Sequence, residues 1–181
     1  MATGKEKGIL TDAITEDEQN LLVELGKRLT NGHPLCMKIK NLSDTAMVNG
    51  CVAPNRGIIH SVLPASIAPN SFHCLGFHKT RYSLYGTVGV VAYDVDNFKL
   101  CIMYGNPYRG MNKAGFLWCE RKKEIVRKFD DKMLEIGTTF YSGGTMKWTS
   151  SYSPDEKYIA EGFVSQGDPA YLHIHVRNNN A

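Results

Sequence analysis

The sequence GTVGVVAYDVDNFKLCIMY, residues 86 to 104, decides the fold of this chain. Its first part, residues 86 to 93, consists almost entirely of apolar or small residues, and residues 99 to 104 are again mostly apolar. The polar segment 94 to 97 separates the two runs. Two apolar runs of this length around a short polar loop predict a buried antiparallel pair of β-strands.

The segment after this pair contains residues that end a strand. Pro107 lacks the N–H that a β-ladder requires, and Gly105 and Gly110 permit backbone conformations that other residues avoid. We therefore expect the second strand to stop at this point and an exposed loop to follow, from Met111 to Trp118. This loop holds more large apolar side chains than solvation favours, which indicates a binding surface at one end of the sheet.

Proline and glycine residues interrupt the rest of the chain at intervals typical of a β-sandwich with short strands. These breakers are Pro54, Gly57, Pro64, Pro69 and Gly76. The segments between breakers predict strands at residues 35–40, 46–53, 58–63 and 146–149, and a hairpin that pairs 157–164 with 171–176. Because the 181 residues contain no internal repeat and no linker, we expect a mainly β, single domain over residues 1–181.

The composition, with 22% charged and 10% aromatic residues, is that of a folded protein. The net charge of +3 tolerates an anionic partner, but no basic stripe alternates with aromatic residues as nucleic-acid binding requires. The five cysteines include no C-x-x-C pair, so neither a disulfide framework nor a zinc site is indicated.

Residues 1–8 lack the apolar core of a signal peptide. We expect a protein made soluble in a reducing compartment, whose secretion would need another route or a leader that this sequence lacks.

The N-terminal region carries the pattern of an amphipathic helix. Thr15 and Glu18 match a capping box, and Lys27 and Arg28 fall in the last predicted turn, which predicts a helix over residues 15–30. Its apolar side is expected to consist of Leu10, Ile14, Leu21, Leu25 and Leu29, widened by Ala13 and Leu22.

Two interpretations of the segment 9–31 stay open at this point. The helix packs on the surface of the sandwich, or it is a membrane-active segment. Asp17, Glu18 and Arg28 point toward the apolar side in a helical projection, and ionised groups are costly inside a bilayer.

A second helix is predicted over residues 120 to 136. Ile125, Val126, Phe129, Met133 and Ile136 recur at spacings of three and four residues and form one apolar stripe. Basic residues dominate its other faces, which fits either a solvated charged surface or contact with anionic headgroups.

Residues for catalysis are not grouped in any recognisable pattern. His173 and His175 project from one face of a predicted strand, but an H-x-H pair without a third ligand is a weak metal signal. No G-x-S-x-G, H-E-x-x-H or glycine-rich phosphate loop occurs. We therefore expect neither an enzyme nor a metal or other cofactor.

Four segments in register resemble the actinoporin-like proteins. These are Leu25-Gly26-Lys27, residues 86–93, Pro107-Tyr108 and Leu172 to Val176. The resemblance implies a β-sandwich flanked by two short α-helices. It also implies a soluble monomer that docks on sphingomyelin-containing membranes, releases its N-terminal helix and assembles into a homo-oligomeric, cation-conducting pore.

The resemblance also implies the residues of the lipid site. Those expected to bind the headgroup are Val88, Gly105, Pro107, Tyr108 and Phe116. Those expected in the membrane-docking loop are Arg109, Lys113, Leu117 and Trp118, and His33 is expected to replace a basic residue before the first strand. The loop lacks most of the tryptophan and tyrosine rings of the family, and the second helix lacks its tyrosine cluster, so an altered lipid choice is expected.

The function expected from the sequence is therefore cytolysin-like pore formation, with the N-terminal helix as the inserting element. In the oligomer, Glu16 and Glu24 would line the lumen and favour cations. The alternative is a non-lytic, lectin-like or protein-binding β-sandwich whose segment 105–118 holds a glycan or a partner.

Overall fold

The computed structural model describes residues 15–30, 32–121, 137–143 and 147–180. Within these ranges the chain forms one helix and eleven strands. They are α1 (Glu16–Arg28), β1 (Leu35–Asn41), β2 (Met47–Arg56), β3 (Ile58–Ile59), β4 (Ser71–His78), β5 (Thr87–Val95), β6 (Phe98–Asn106), β7 (Lys113–Glu120), β8 (Thr138–Tyr141), β9 (Thr149–Tyr152), β10 (Tyr158–Val164) and β11 (Ala170–Asn178).

The strands form two sheets that pack face to face as a β-sandwich. One sheet has six strands in the order β3-β4-β1-β11-β10-β9, and the other has five in the order β2-β5-β6-β7-β8. β1 and β11 are parallel, while the other neighbouring strands pair antiparallel. The predicted mainly β sandwich is thus confirmed.

The predicted strand pair at residues 86–104 is confirmed as the β5–β6 hairpin. Its register runs without interruption from Thr87 opposite Asn106 to Val95 opposite Phe98. Asp96 adopts a positive φ of 55° in the two-residue turn, a conformation that Asp tolerates better than most residues. Val91, Tyr93 and Ile102, among others of this hairpin, face the six-stranded sheet across the core.

The loop predicted from Met111 to Trp118 is wrong beyond its first two residues, because Lys113–Glu120 is strand β7. Phe116 is fully buried in the core, and the indole of Trp118 packs against that core and donates to the carbonyl of Ser151 at 3.3 Å. Leu117 contacts an apolar cluster on the opposite face of the sheet. The large apolar residues of this segment therefore divide between the two faces of a strand.

The predicted first helix and its capping box are confirmed, although α1 ends at Arg28 rather than Thr30. The hydroxyl of Thr15 accepts a hydrogen bond from the backbone N–H of Glu18, and the carboxylate of Glu18 accepts one from the N–H of Thr15. The helix packs on the outer face of the six-stranded sheet, against β1 and β4.

The buried side of α1 differs from the predicted stripe. Leu22, Leu25 and Leu29 contact the sheet, whereas the side chain of Leu21 is 55% exposed and the prediction for it is wrong. A close approach also requires Gly26, because an added Cβ there would lie 3.0 Å from the hydroxyl of Tyr171. Leu10, Ala13 and Ile14 lie outside the described residues.

Three smaller predictions need correction or lie outside the described part. The run 58–63 yields only the two-residue β3, and the short strand expected at 146–149 begins at Thr149 and continues to Tyr152 as β9. Glu120 ends β7 instead of beginning a helix, and residues 122–136 of that predicted helix lie outside the described residues. No helix in the described ranges has the length and apolar character needed to cross a membrane.

Candidate functional site

A cavity of about 570 Å³ opens at the end of the sandwich where β6 stops. The loop before β5 crosses the chain here so closely that a Cβ on Gly86 would overlap the carbonyl oxygen of Asn106. We call this space the first cavity, and it is lined by Arg56, Leu84, Tyr85, Gly86, Val88, Pro107, Tyr108 and Arg109.

Large apolar side chains project into solvent from the two loops that border the first cavity. We call residues 79–86 and 107–111, together with Arg56, the tip surface. Its exposed apolar or aromatic side chains are Tyr82, Leu84, Tyr85, Tyr108 and Met111, each between 47% and 87% exposed. Because a soluble protein seldom exposes such residues in a group, the tip surface is a candidate interaction site.

Cationic side chains stand over the tyrosine rings of the same surface. The guanidinium of Arg56 lies 3.6 Å from the ring centre of Tyr85, and that of Arg81 lies 5.0 Å from the ring of its neighbour Tyr82. The ammonium of Lys79 lies 5.7 Å from the ring of Tyr108. Neither loop of the tip surface contains an aspartate or glutamate.

A second cavity of about 340 Å³ lies on the other side of Pro107 and Tyr108. Its lining includes the polar residues His33, Asn106, Asn112, Gln166 and Asp168. The two asparagine amides donate to backbone carbonyls, Asn106 to that of Pro34 and Asn112 to those of Ser165 and Gly167, so they hold the surrounding loops together.

His33 and Asp168 face each other in the second cavity. Nδ1 of His33 lies 3.5 Å from a carboxylate oxygen of Asp168, and the imidazole meets the ring of Tyr108 edge-on at a centroid distance of 5.0 Å. Tyr108 therefore borders both cavities.

The structure brings together some of the predicted lipid-site residues and separates others. Val88, Pro107, Tyr108 and Arg109 line the first cavity. Gly105 lies within β6 opposite Val88 and Lys113 in the sheet registers, and does not line the cavity. Phe116, Leu117 and Trp118 belong to β7, so they do not form an exposed docking loop.

Sequence reasoning missed much of the tip surface. Arg56, Lys79, Arg81, Leu84 and Tyr85 were not among the predicted site residues. The signal that points to them is the segment KTRYSLY, residues 79–85, which interleaves cations with large side chains, contains no acid and lies between two strands.

The other notable polar cluster lies beneath α1, on the outer face of the six-stranded sheet. The carboxylate of Glu18 accepts hydrogen bonds of 2.7 Å from the ammonium groups of both Lys38 and Lys40. Glu18 is 5% exposed and Lys38 is fully buried. Burial alone would raise the pKa of Glu18, but the bonds from the two lysines outweigh it and lower that pKa to about 2.

His173 and His175 are the neighbours of these lysines in the parallel β1–β11 register. The imidazole of His173 stacks on Phe163 at 4.7 Å, and that of His175 lies 4.5 Å from Trp148. Both histidines are buried, which lowers the pKa of His173 to about 4 and that of His175 to about 3, with a further contribution from the charge of Lys38. Among the described residues, no group of three or more histidine, cysteine or acidic side chains is arranged to hold a metal ion.

No protein-family model matches the chain, and no curated protein matches it. Among solved structures, it is similar to the lipid binding protein Nakanori, with 15% sequence identity, a TM-score of 0.73 and coverage of 91% of this chain and 81% of that one. It is also similar to IP-1A from Alcaligenes faecalis, with 12% sequence identity, coverage of 87% of this chain and 98% of that one, and a TM-score of 0.49. A third similar structure is RahU, solved in complex with a TRIS molecule, with 9% sequence identity, coverage of 82% of this chain and 97% of that one, and a TM-score of 0.43. The similarity to Nakanori concerns the fold, and it agrees with the actinoporin-like β-sandwich expected from the sequence.

Proposed function

We propose that the protein binds lipid membranes through the tip surface, with a lipid headgroup in the first cavity. The observation that carries the proposal is the exposed group of Tyr82, Leu84, Tyr85, Tyr108 and Met111, interleaved with cations and free of acidic residues in both loops. Tyrosine favours the level of the headgroups, and basic residues are attracted to anionic lipid surfaces. The resemblance of the fold to a lipid binding protein supports the same proposal.

Burial of the exposed side chains supplies the attraction to the bilayer. Leu84 is 77% exposed, and full burial of a leucine side chain in an apolar environment is worth about 1.5–3 kcal/mol. The rings of Tyr85 and Tyr108 border the cavity, so they would contact the headgroup while Leu84 and Met111 reach the acyl boundary.

Vesicle sedimentation tests membrane binding directly. With vesicles of mixed phosphatidylcholine and phosphatidylserine, Leu84→Ala combined with Tyr108→Ala should lower the apparent affinity at least about tenfold, since the two truncated side chains together account for more than about 1.4 kcal/mol of apolar burial. Tyr152→Ala is the matched control, because Tyr152 is also exposed but pairs with Ile159, at the end of β10 away from the cavities. Absence of binding by the unmodified protein to any vesicle would refute the proposal.

We further propose that membrane binding is followed by release of the N-terminal helix and assembly of a cation-conducting oligomeric pore. The described α1 spans 13 residues, or about 20 Å, and a hydrocarbon core is about 30 Å thick. Residues 9–15 must therefore join the helix in the bilayer, which would add Leu10, Ala13 and Ile14 to its apolar side. The amphipathic character of α1 and its packing by one face on the sheet support this step.

A reversible tether tests the release of α1. An added Cβ at Gly26 would lie 3.5 Å from Sγ of Cys36 on β1, so Gly26→Cys places a thiol within reach of a disulfide. Under oxidising conditions this variant should bind vesicles without releasing an entrapped dye, and a reductant should restore release. Gly26→Ala introduces the same crowding against Tyr171 and Pro169 without a thiol, and its dye release should not depend on the redox conditions.

The outcomes of the tether experiment separate the two levels of the proposal. Dye release by the oxidised Gly26→Cys variant would refute release of α1. Binding without any dye release by the unmodified protein would refute the pore and leave membrane docking intact.

A second candidate function is glycan or protein binding without lysis, and the second cavity favours it. His33, Gln166 and Asp168 present polar groups beside the ring of Tyr108, an arrangement suited to a hydroxyl-rich ligand. A glycan-binding screen that gives a signal abolished by Asp168→Asn, together with no vesicle binding, would support this function over membrane docking.

A further inference from the structure

The tyrosine rings of the tip surface are already paired with cations of the same chain. Arg56 lies over Tyr85, Arg81 over Tyr82 and Lys79 near Tyr108. A choline headgroup is recognised by a quaternary ammonium that approaches open aromatic faces. Here such a group would compete with cations held on the chain and would be repelled by them.

The cations that border the first cavity make no ion pairs with acidic groups of the described residues. Lys38, Lys40, Lys99, Lys157 and Arg177 all bind carboxylates elsewhere in the protein. Arg56 and Arg109 have no such partner within the described ranges, and both line the cavity. Their charge is therefore available to an anionic ligand.

Sheet pairing and contacts of its backbone and side chain hold Arg56 at the first cavity. A register irregularity lies between Pro54 and Arg56 at the end of β2, and Arg56 then pairs with Val88 of β5. The hydroxyl of Thr87 donates to the backbone carbonyl of Arg56 at 3.4 Å, and Tyr85 supports the guanidinium plane. Arg109 reaches the same cavity from the loop after β6.

We infer that the first cavity selects anionic phospholipids, with Arg56 and Arg109 as the residues that recognise the anionic headgroup. This inference rests on the proposed membrane-binding function and specifies its lipid class. Guanidinium groups donate paired hydrogen bonds to phosphate and carboxylate oxygens, while Val88 and Pro107 provide an apolar wall for the glycerol region. A lipid with net negative charge is favoured because the lining residues include two cations and no carboxylate.

The test compares vesicles of pure phosphatidylcholine, of phosphatidylcholine with sphingomyelin, and of phosphatidylcholine with phosphatidic acid or phosphatidylserine. The unmodified protein should bind the anionic vesicles at least about tenfold more tightly, and the preference should shrink as salt is added. The double variant Arg56→Gln/Arg109→Gln should lower affinity for anionic vesicles by roughly 30-fold, which corresponds to about 1 kcal/mol for each basic residue near an anionic surface. Its loss of affinity for neutral vesicles should be much smaller.

A charge-matched control is available at the opposite end of the hairpin. Arg121 and Lys157 bind Asp94 and Asp96 near the β5–β6 turn, so Arg121→Gln/Lys157→Gln removes the same net charge away from the tip surface. This control should keep the preference for anionic vesicles almost in full. Circular dichroism of each variant, and the single variant Arg109→Gln in its exposed loop, separate loss of binding from loss of folding.

The outcomes distinguish failure of the anionic selectivity from failure of the proposed membrane binding. Equal or tighter binding to the vesicles that contain only choline lipids would overturn the anionic selectivity while membrane docking stands. An equal loss in the charge-matched control would also overturn it, because net charge alone would then explain the preference. Competition by soluble glycerol phosphate as strong as that by anionic vesicles would show that the site binds free phosphate compounds instead of a membrane lipid. No binding to any vesicle would refute the proposed function itself.

Discussion

The lysines beneath α1 and the arginines of the tip surface are cations in opposite surroundings. Lys38 is fully buried, and it shares the carboxylate of Glu18 with Lys40 at 2.7 Å. Arg56 and Arg109 are exposed, line an open cavity and pair with no carboxylate of the described residues. The first pair binds the helix to the sheet, whereas the second is available to a ligand.

The comparison shows that the surroundings of a cation, namely its burial and whether a carboxylate pairs with it, determine what it does in this protein. Removing one partner of a buried ion pair leaves an uncompensated charge and costs about 3–5 kcal/mol. An exposed cation–aromatic contact is worth only about 0.5–1 kcal/mol. Substitutions in the cluster beneath α1 should therefore lower stability, whereas substitutions of the arginines of the tip surface should weaken ligand binding with little effect on stability.

The largest effect is expected from Glu18→Gln, which should lower the free energy of unfolding by about 3–5 kcal/mol. The neutral amide leaves Lys38 buried beside Lys40 without a counter-ion. Urea denaturation followed by tryptophan fluorescence measures the change. Glu24→Gln is the matched control, because Glu24 lies on the exposed side of α1, where it pairs with Lys27, and it should leave the midpoint nearly unchanged. Equal effects of the two substitutions would show that the buried pair does not anchor α1.

The next largest effect is expected from acid, through His173 and His175. Their folded pKa values of about 4 and about 3 lie below the ordinary value of 6.5, so the unfolded chain binds more protons. The stability contributed by the neutral imidazoles is complete above pH 6.5 and is lost as the pH falls toward the folded pKa values. Between pH 6.5 and 5 the loss should reach about 1.6 kcal/mol for each histidine.

The pH range 6.5 to 5 isolates the histidines from the neighbouring carboxylate. Glu18 also loses stabilisation in acid, but only below its ordinary pKa of 4.5, because its folded pKa is about 2. Denaturation at closely spaced pH values measures the slope, and His175→Gln should reduce it toward the contribution of one histidine. A slope near zero over this range would contradict burial of the two imidazoles beside Lys38 and Lys40.

Periodicity explains which parts of the fold were predictable from the sequence. The β5–β6 hairpin, β1 and the β10–β11 hairpin follow from apolar runs bounded by turn residues. The prediction of a loop over residues 113–118 is wrong because Phe116 and Trp118 alternate with Leu117, which places apolar side chains on both faces of a strand. When only composition is considered, such a strand resembles an apolar loop. The prediction that Leu21 belongs to the buried side of α1 is wrong because the side that contacts the sheet is centred on its neighbour Leu22.

The sequence singled out only part of the lining of the first cavity. Val88, Pro107, Tyr108 and Arg109 line the first cavity at one end of the sandwich, and their role in lipid binding stays a prediction. Arg56 was missed because it lies far along the chain and reaches the cavity only through the pairing of β2 with β5. The sequence likewise does not reveal the ion pairs of Glu18 with Lys38 and Lys40. The position of Glu18 on the apolar side of the helix indicates only that it needs a buried partner.

The smallest effect on stability, and the sharpest test of the comparison, is expected from Arg56→Gln. Because the guanidinium stacks on an exposed ring of Tyr85, its loss should change the free energy of unfolding by less than about 1 kcal/mol. The same substitution should measurably weaken binding to anionic vesicles, whereas Glu24→Gln should change neither property. Urea denaturation and vesicle sedimentation on one preparation measure both. If Arg56→Gln instead destabilised the protein as much as Glu18→Gln, the stack on Tyr85 would be a structural contact, and the tip surface would hold its cations for the fold rather than for a ligand.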